Sequence, residues 1–194
     1  TMDDWYTMLK KFKETDMNGN NNTGDEWPFT CFGAPSPGYQ GLNIFAQAYG
    51  VMLPSNDCTL DNDNFQVDEN GKVMYIYTMP QVKDWLTEMR KWYSEGLIDP
   101  DMFTLTQDKW TAKIVSNTVG ATSQFTMYAP QWNSKMEQEF PGAYWDTVYP
   151  PKGPGGEQNL LKERPLSIEQ YAISKDCKNP ELVMKWIDYI YADR

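Results

Sequence analysis

Residues 65–96 read Phe65-Gln-Val-Asp-Glu-Asn-Gly-Lys-Val-Met-Tyr-Ile-Tyr-Thr-Met-Pro-Gln-Val-Lys-Asp-Trp-Leu-Thr-Glu-Met-Arg-Lys-Trp-Tyr-Ser-Glu-Gly96. Within this one stretch the apolar residues change spacing from strand-like to helix-like. Phe65 to Asp68 and Val73 to Tyr77 flank Asn70-Gly71, a dipeptide that tolerates the left-handed backbone of a tight turn, so the first part predicts a hairpin. From Thr78 to Gly96 the pattern predicts a helix. Pro80 sits in its first turn, Val82, Trp85, Leu86, Met89, Trp92 and Tyr93 form its apolar stripe, and Gly96 stops it.

Working outward, the same alternation recurs. Towards the N-terminus, Leu42 to Tyr49 has helical spacing and ends on Gly50, Gly33 to Gly41 is a loop by composition, and Trp27 to Phe32 is a short strand. Thr1 to Lys13 is a helix whose Trp5, Met8, Leu9 and Phe12 share one face, with Thr1 and Asp4 placed as a capping box. Towards the C-terminus come a helix over Gln107–Asn117, a strand over Val119–Phe125, a helix over Pro130–Phe140 and an extended run over Tyr144–Tyr149. A proline-glycine loop at Pro150–Gly156, a strand over Leu166–Ser174 and a helix begun by Asn179-Pro180 complete the chain. Leu182, Val183, Trp186, Ile187 and Ile190 are the expected inner face of that last helix. Alternating helices and short strands predict an α/β layered sandwich, a sheet covered by helices, in a single lobe spanning 1–194.

Composition narrows the function. With 40% hydrophobic and 14% aromatic residues, the 194-residue chain can build a sizeable core. A net charge of −10 makes nucleic acid and anionic membrane surfaces poor partners. The absence of histidine removes the commonest general base, the histidine-dependent nucleophile systems and most zinc sites. Cys31, Cys58 and Cys177 form no CxxC pair and read as small buried hydrophobes, with Cys31–Cys58 pairing in an oxidising compartment as the alternative. No run approaches the roughly 20 apolar residues a membrane helix needs, and no signal-peptide pattern opens the chain. A start on Thr1 is expected of a processed or excised piece.

Asp16 to Glu26, Asp-Met-Asn-Gly-Asn-Asn-Asn-Thr-Gly-Asp-Glu, fits neither helix nor strand. Asp16, Asn18 and Asn20 fall at alternate positions with Gly19 between them, the first half of a calcium-loop pattern of the EF-hand kind. The second half departs, because position six is Asn21 where that pattern has glycine and position twelve is Trp27 where it has glutamate. Asp25 and Glu26 arrive just before that place and can supply the closing oxygens, with a mid-loop carbonyl from Asn22 or Thr23. The same composition also suits a solvated polar turn without any cation. Asp57 to Asn64 is similarly acidic but lacks the alternation and reads as a plain loop.

Three quoted stretches carry a family resemblance: residues 1–30, TMDDWYTMLKKFKETDMNGNNNTGDEWPFT; residues 68–104, with the box Glu95-Gly-Leu-Ile-Asp-Pro100; and the ending AISKDCKNPELVMKWIDYIYAD. Together they resemble the extracellular solute-binding proteins of bacterial ABC importers, in their carbohydrate-binding lipoprotein branch. The resemblance implies a periplasmic-binding-protein-like lobe of type II with a mixed sheet flanked by helices, excised from a two-lobe protein. It implies capture of a sugar or oligosaccharide in an interlobe cleft, no catalysis, an ABC permease as partner, and a cell-surface, lipid-anchored parent outside the membrane. It further implies a structural Ca²⁺ held by Asp16, Asn18, Asn20, the carbonyl of Asn22 or Thr23, Asp25 and Glu26, although this loop has one residue more than the family pattern.

Sugar rings stack on aromatic faces, and ligands of open α/β sheets sit where strands hand over to helices. Gln124, Tyr128 and Trp132 after the Val119 strand, Tyr39 in the glycine-rich loop, and Trp145 beside Tyr144 are therefore the ligand-site candidates, with Trp132 the first choice. Trp5, Trp85, Trp92 and Trp186 lie on helix stripes and read as core. One lobe alone exposes half a cleft, so tight sugar binding is not expected of it. Two other classes compete: a carboxylate-based glycosidase lobe, which turnover of chromogenic glycosides would reveal, and a calcium-dependent adhesion module, which would need a second copy of the loop.

Overall fold

The computed structural model describes residues 1–32, 41–51, 65–68, 70–156, 158–159 and 172–191. Tyr39, Cys58, the Asp57–Asn64 stretch and most of the strand expected at Leu166–Ser174 lie outside them. The chain divides into two compact units, Thr1–Leu161 and Lys162–Arg194.

In the first unit, helix α1 spans Met2–Lys13 and starts as its sequence requires. The Thr1 hydroxyl accepts the Asp4 N–H while the Asp4 carboxylate answers the N-cap, closing the capping box. Met2, Trp5 and Leu9 are buried on its inner face, with Met8 and Phe12 half-buried beside them. Strand β1, Trp27–Thr30, pairs in parallel with β4, Val119–Thr122, in the register Trp27↔Val119, Phe29↔Ala121 and Thr30↔Thr122. Pro28 has no N–H to donate and falls between these paired residues. On its other side β1 is bridged to Ile98, with Phe29 N–H donating to the Leu97 carbonyl (3.0 Å) and Asp99 N–H to the Phe29 carbonyl (2.9 Å).

A mixed sheet was the expectation. Among the described residues this layer is parallel throughout, and antiparallel pairing is confined to a separate hairpin of β2, Phe65–Val67, and β3, Val73–Tyr75. Gly71 supplies the positive φ of its turn, at 78°. Helices α2 (Asn43–Ala46), α3 (Pro80–Ser94), α4 (Gln107–Val115) and α5 (Tyr128–Met136) flank the strands. Of the stripe expected on α3, Val82, Trp85, Met89 and Trp92 are buried, whereas Leu86 and Tyr93 are about half exposed. Those two sit a step further round the helix, at the edge of the buried face.

Two apolar clusters meet at the β1–β4 pair. One gathers Trp5, Leu9, Phe29, Phe45, Trp85, Trp92 and Ile98, and the other Leu105, Trp110, Ile114, Val119, Trp132 and Met136. Helix α1 can lie on β4 because residue 120 is glycine: a Cβ there would stand 2.5 Å from Cγ of Phe12. Residues 144–149, expected to be extended, join no strand. In the second unit, α6 spans Pro180–Tyr191, and the Asn179 side chain accepts the Leu182 N–H (3.3 Å). Val183 and Ile187 are half-buried, but Leu182 and Trp186, expected inside, are exposed.

Candidate functional site

The loop between α1 and β1 is built from asparagine and aspartate side chains folded onto their own backbone. The Asp16 carboxylate accepts N–H groups from Gly19 (2.7 Å), Asn20 (3.1 Å) and Asn21 (2.7 Å). Asn18, Asn20 and Asn22 each accept the N–H two residues on, from Asn20, Asn22 and Gly24. The Asn20 amide also donates to Asp25 (2.8 Å). The chain reverses through two left-handed residues, Gly19 (φ 76°) and Asn21 (φ 65°). Asn21 thus adopts the backbone that a glycine would supply at the sixth position, and asparagine is among the few other residues that do so at small cost.

The end of the loop is where oxygens are left over. Glu26 is 4% exposed; one of its oxygens accepts the Met17 N–H (2.8 Å) and the other, Oε2, is buried without a partner. Oδ1 of Asp25 is likewise buried and unpaired. Burial pushes the Glu26 carboxyl above the usual carboxylate range, the Asp25 and Asp16 charges push it the same way, and the Met17 and Asn18 N–H groups pull against them. Two orphaned carboxylate oxygens beside like charge suit a hard divalent cation. Among the described residues no three acidic or cysteine side chains converge as a ready-made cluster. An ion here would therefore draw on amide and carbonyl oxygens beside the carboxylates.

The second candidate follows β4. Trp132 is 4% exposed, enclosed by Trp110 (5.1 Å between centroids), Tyr128 (5.7 Å, stacked) and Trp145 (5.4 Å, edge-on). It has no open face for a ligand, so the first-choice sequence candidate is the backing of the cluster. Tyr128 and Trp145, half-buried, form its outer side. Gln107 donates to the Tyr128 hydroxyl (3.4 Å), and Asn133 grips the Trp145 backbone at both N–H (2.6 Å) and C=O (2.9 Å). Gln124 is half-buried, its side-chain oxygen taken by the Phe125 N–H (2.9 Å). Sequence reasoning missed Gln107 on α4, which supports Tyr128, and Asn133 on α5, which supports Trp145. It also passed over Phe125 and Tyr149, which are exposed beside the cluster's chain segments.

The fold is similar to that of part of the substrate-binding proteins of ABC transporters. It matches two solved chains of the S. pneumoniae ABC-transporter substrate-binding protein FusA, one in complex with kestose and one an EF-hand mutant with fructo-nystose, each at TM-score 0.60 and 24% identity. The match covers 82% of this chain and 28% of the first, and 99% and 36% with the second. No family model matches. In sequence the chain is 30% identical over 162 residues to Lipoprotein LipO of Bacillus subtilis, covering 82% of this chain and 30% of that protein. It is 27% identical over 194 residues to the fructooligosaccharide ABC transporter substrate-binding protein FusA of Streptococcus pneumoniae serotype 4, covering 99% and 33%. The chain is thus similar to a piece of such proteins and spans about a third of the length of these curated relatives.

Proposed function

We propose that the chain is part of a non-catalytic, lipid-anchored extracellular protein that captures a sugar or oligosaccharide for an ABC permease, in a two-lobe architecture of type II. The chain would then contribute to one lobe, with the solute held in the cleft between lobes. The observation that supports this best is the aromatic cluster after β4, whose outer members Tyr128 and Trp145 are braced by Gln107 and Asn133. A braced, half-exposed ring is what the apolar face of a sugar stacks on, while hydroxyls take the neighbouring amides. The relative named for fructooligosaccharides makes that the first ligand to try.

Titration of kestose into the 194-residue chain, followed by tryptophan emission, tests the reading. The expected result is weak, millimolar binding that Trp145→Ala removes, with no turnover of chromogenic glycosides. Emission and chemical shifts indifferent to kestose would overturn it.

We further propose that the Asp16–Glu26 loop holds one Ca²⁺, through Asp16, Asn18, Asn20, a mid-loop carbonyl of Asn22 or Thr23, Asp25 and Glu26. The unpaired buried oxygens of Asp25 and Glu26 support this, and one of the similar solved structures is described as an EF-hand mutant. The ion would neutralise the crowded carboxylates and tie the end of α1 to the start of β1, a structural role.

A further inference from the structure

A side chain a hundred positions further along the chain holds the Asp16–Glu26 loop from outside. Asn117 follows α4 with a left-handed backbone (φ 56°), and its side-chain amide donates to the Met17 carbonyl at 2.5 Å. The N–H of Met17 in turn donates to Oε1 of Glu26. The two ends of one loop residue are therefore clasped, one by a neighbouring turn and one by the carboxylate that closes the loop. The next residues run side by side, with Trp27 N–H donating to the Thr118 carbonyl (2.7 Å) at the start of the β1–β4 pairing.

We infer that Asn117 is a positioning residue for the cation: through Met17 it fixes the Glu26 carboxylate so that one oxygen is engaged and the other, Oε2, is presented to the loop interior. The inference rests on the reading that this loop holds Ca²⁺. Three observations carry it. The Glu26 side chain is buried, so it cannot choose its direction by finding water. One of its two oxygens is spent on Met17 and the other is unpaired. And the residue that holds Met17 from behind keeps a left-handed backbone that few non-glycine residues adopt, which fixes the direction of its side chain. Asparagine meets both demands at once, because it tolerates the left-handed region and carries a donor of the right reach.

The substitution Asn117→Gly separates the two roles. Glycine keeps the left-handed turn without strain but removes the amide. In the full 194-residue chain, calcium titrated by calorimetry should bind the Asn117→Gly variant roughly 3- to 10-fold more weakly than the original, the change expected from one hydrogen bond. The melting temperature without calcium should fall by no more than one lost hydrogen bond accounts for, and the Met17 amide should exchange with solvent faster. Ser116→Ala, in the same turn but without contact to the loop, should bind calcium as the original does. Unaltered affinity in Asn117→Gly, or an equal loss in Ser116→Ala, would overturn the inference while leaving the calcium site standing. An original chain that takes up no calcium at all would remove the calcium reading, and this inference with it.

Discussion

Asparagine carries an unusual share of the structure at single positions. Asn21 and Asn117 are the two non-glycine residues with positive φ among those described, and one shapes the loop while the other holds it. Replacing Asn21 by alanine should cost about 1 kcal/mol in urea unfolding, since alanine pays the full left-handed penalty, whereas Asn21→Gly should change little. Cys31 shows the opposite kind of constraint. It is buried at 3% exposure, and burial, with the nearby Asp99 charge second, pushes its thiol up to about 12. The reactive thiolate is therefore negligible at neutral pH. Alkylation of the folded chain at pH 8, mapped by mass spectrometry, should label the half-buried Cys177 and spare Cys31 until denaturant is added. The sequence reading of Cys31 as a small buried hydrophobe agrees with this. Its alternative partner, Cys58, lies outside the described residues.

Between elements, polar contacts add to the apolar packing. Asp99 is fully buried after Ile98 and ties three elements together: it accepts the Thr30 hydroxyl (2.8 Å) from β1, pairs with the Lys113 ammonium (2.7 Å) from α4, and caps the short turn at Pro100–Phe103 through the Asp101 N–H (3.0 Å). Lys113 also stands 4.5 Å from the centre of the Trp27 ring. Lys113→Ala strands a buried charge and should cost roughly 3–5 kcal/mol of stability in denaturant unfolding. Smaller losses would mean that water reaches Asp99. Helices α1 and α3 are joined in a looser way, the Tyr6 hydroxyl donating to Glu95 (2.7 Å) and the Lys91 ammonium lying 4.0 Å from the Tyr6 ring centre. The spans of these elements were legible, because caps and stripes depend on residues within a turn or two. Thr1 with Asp4 announces α1, and Pro80 and Gly96 bracket α3. The ties between elements were not legible: nothing near Asp99 in the chain says that Thr30, 69 residues earlier, will share its oxygen.

For the molecule as a whole, folding and cation binding should be one linked equilibrium. A Ca²⁺ that binds only the folded loop at a concentration 100 times its dissociation constant stabilises by about 2.7 kcal/mol. Thermal melts should therefore shift upward with calcium, fall back with EDTA, and lose the difference in Asp16→Ala; identical midpoints with and without saturating calcium would contradict the site. The sequence by itself determined the elements and the composition of the loop, for these follow from local geometry: helical spacing, turn residues, and oxygen-bearing side chains at alternate positions. It also carried the family likeness, which the solved FusA chains match in fold. Only the tertiary structure decided which aromatic rings face outward. Trp132 is the first choice in the chain, yet it is enclosed by Trp110, Tyr128 and Trp145. Tertiary contacts likewise turned Asn117 towards Met17 and left Glu26 with one oxygen to spare. Burial and hydrogen-bond partnership depend on what packs across from a residue, and sequence neighbours do not specify that.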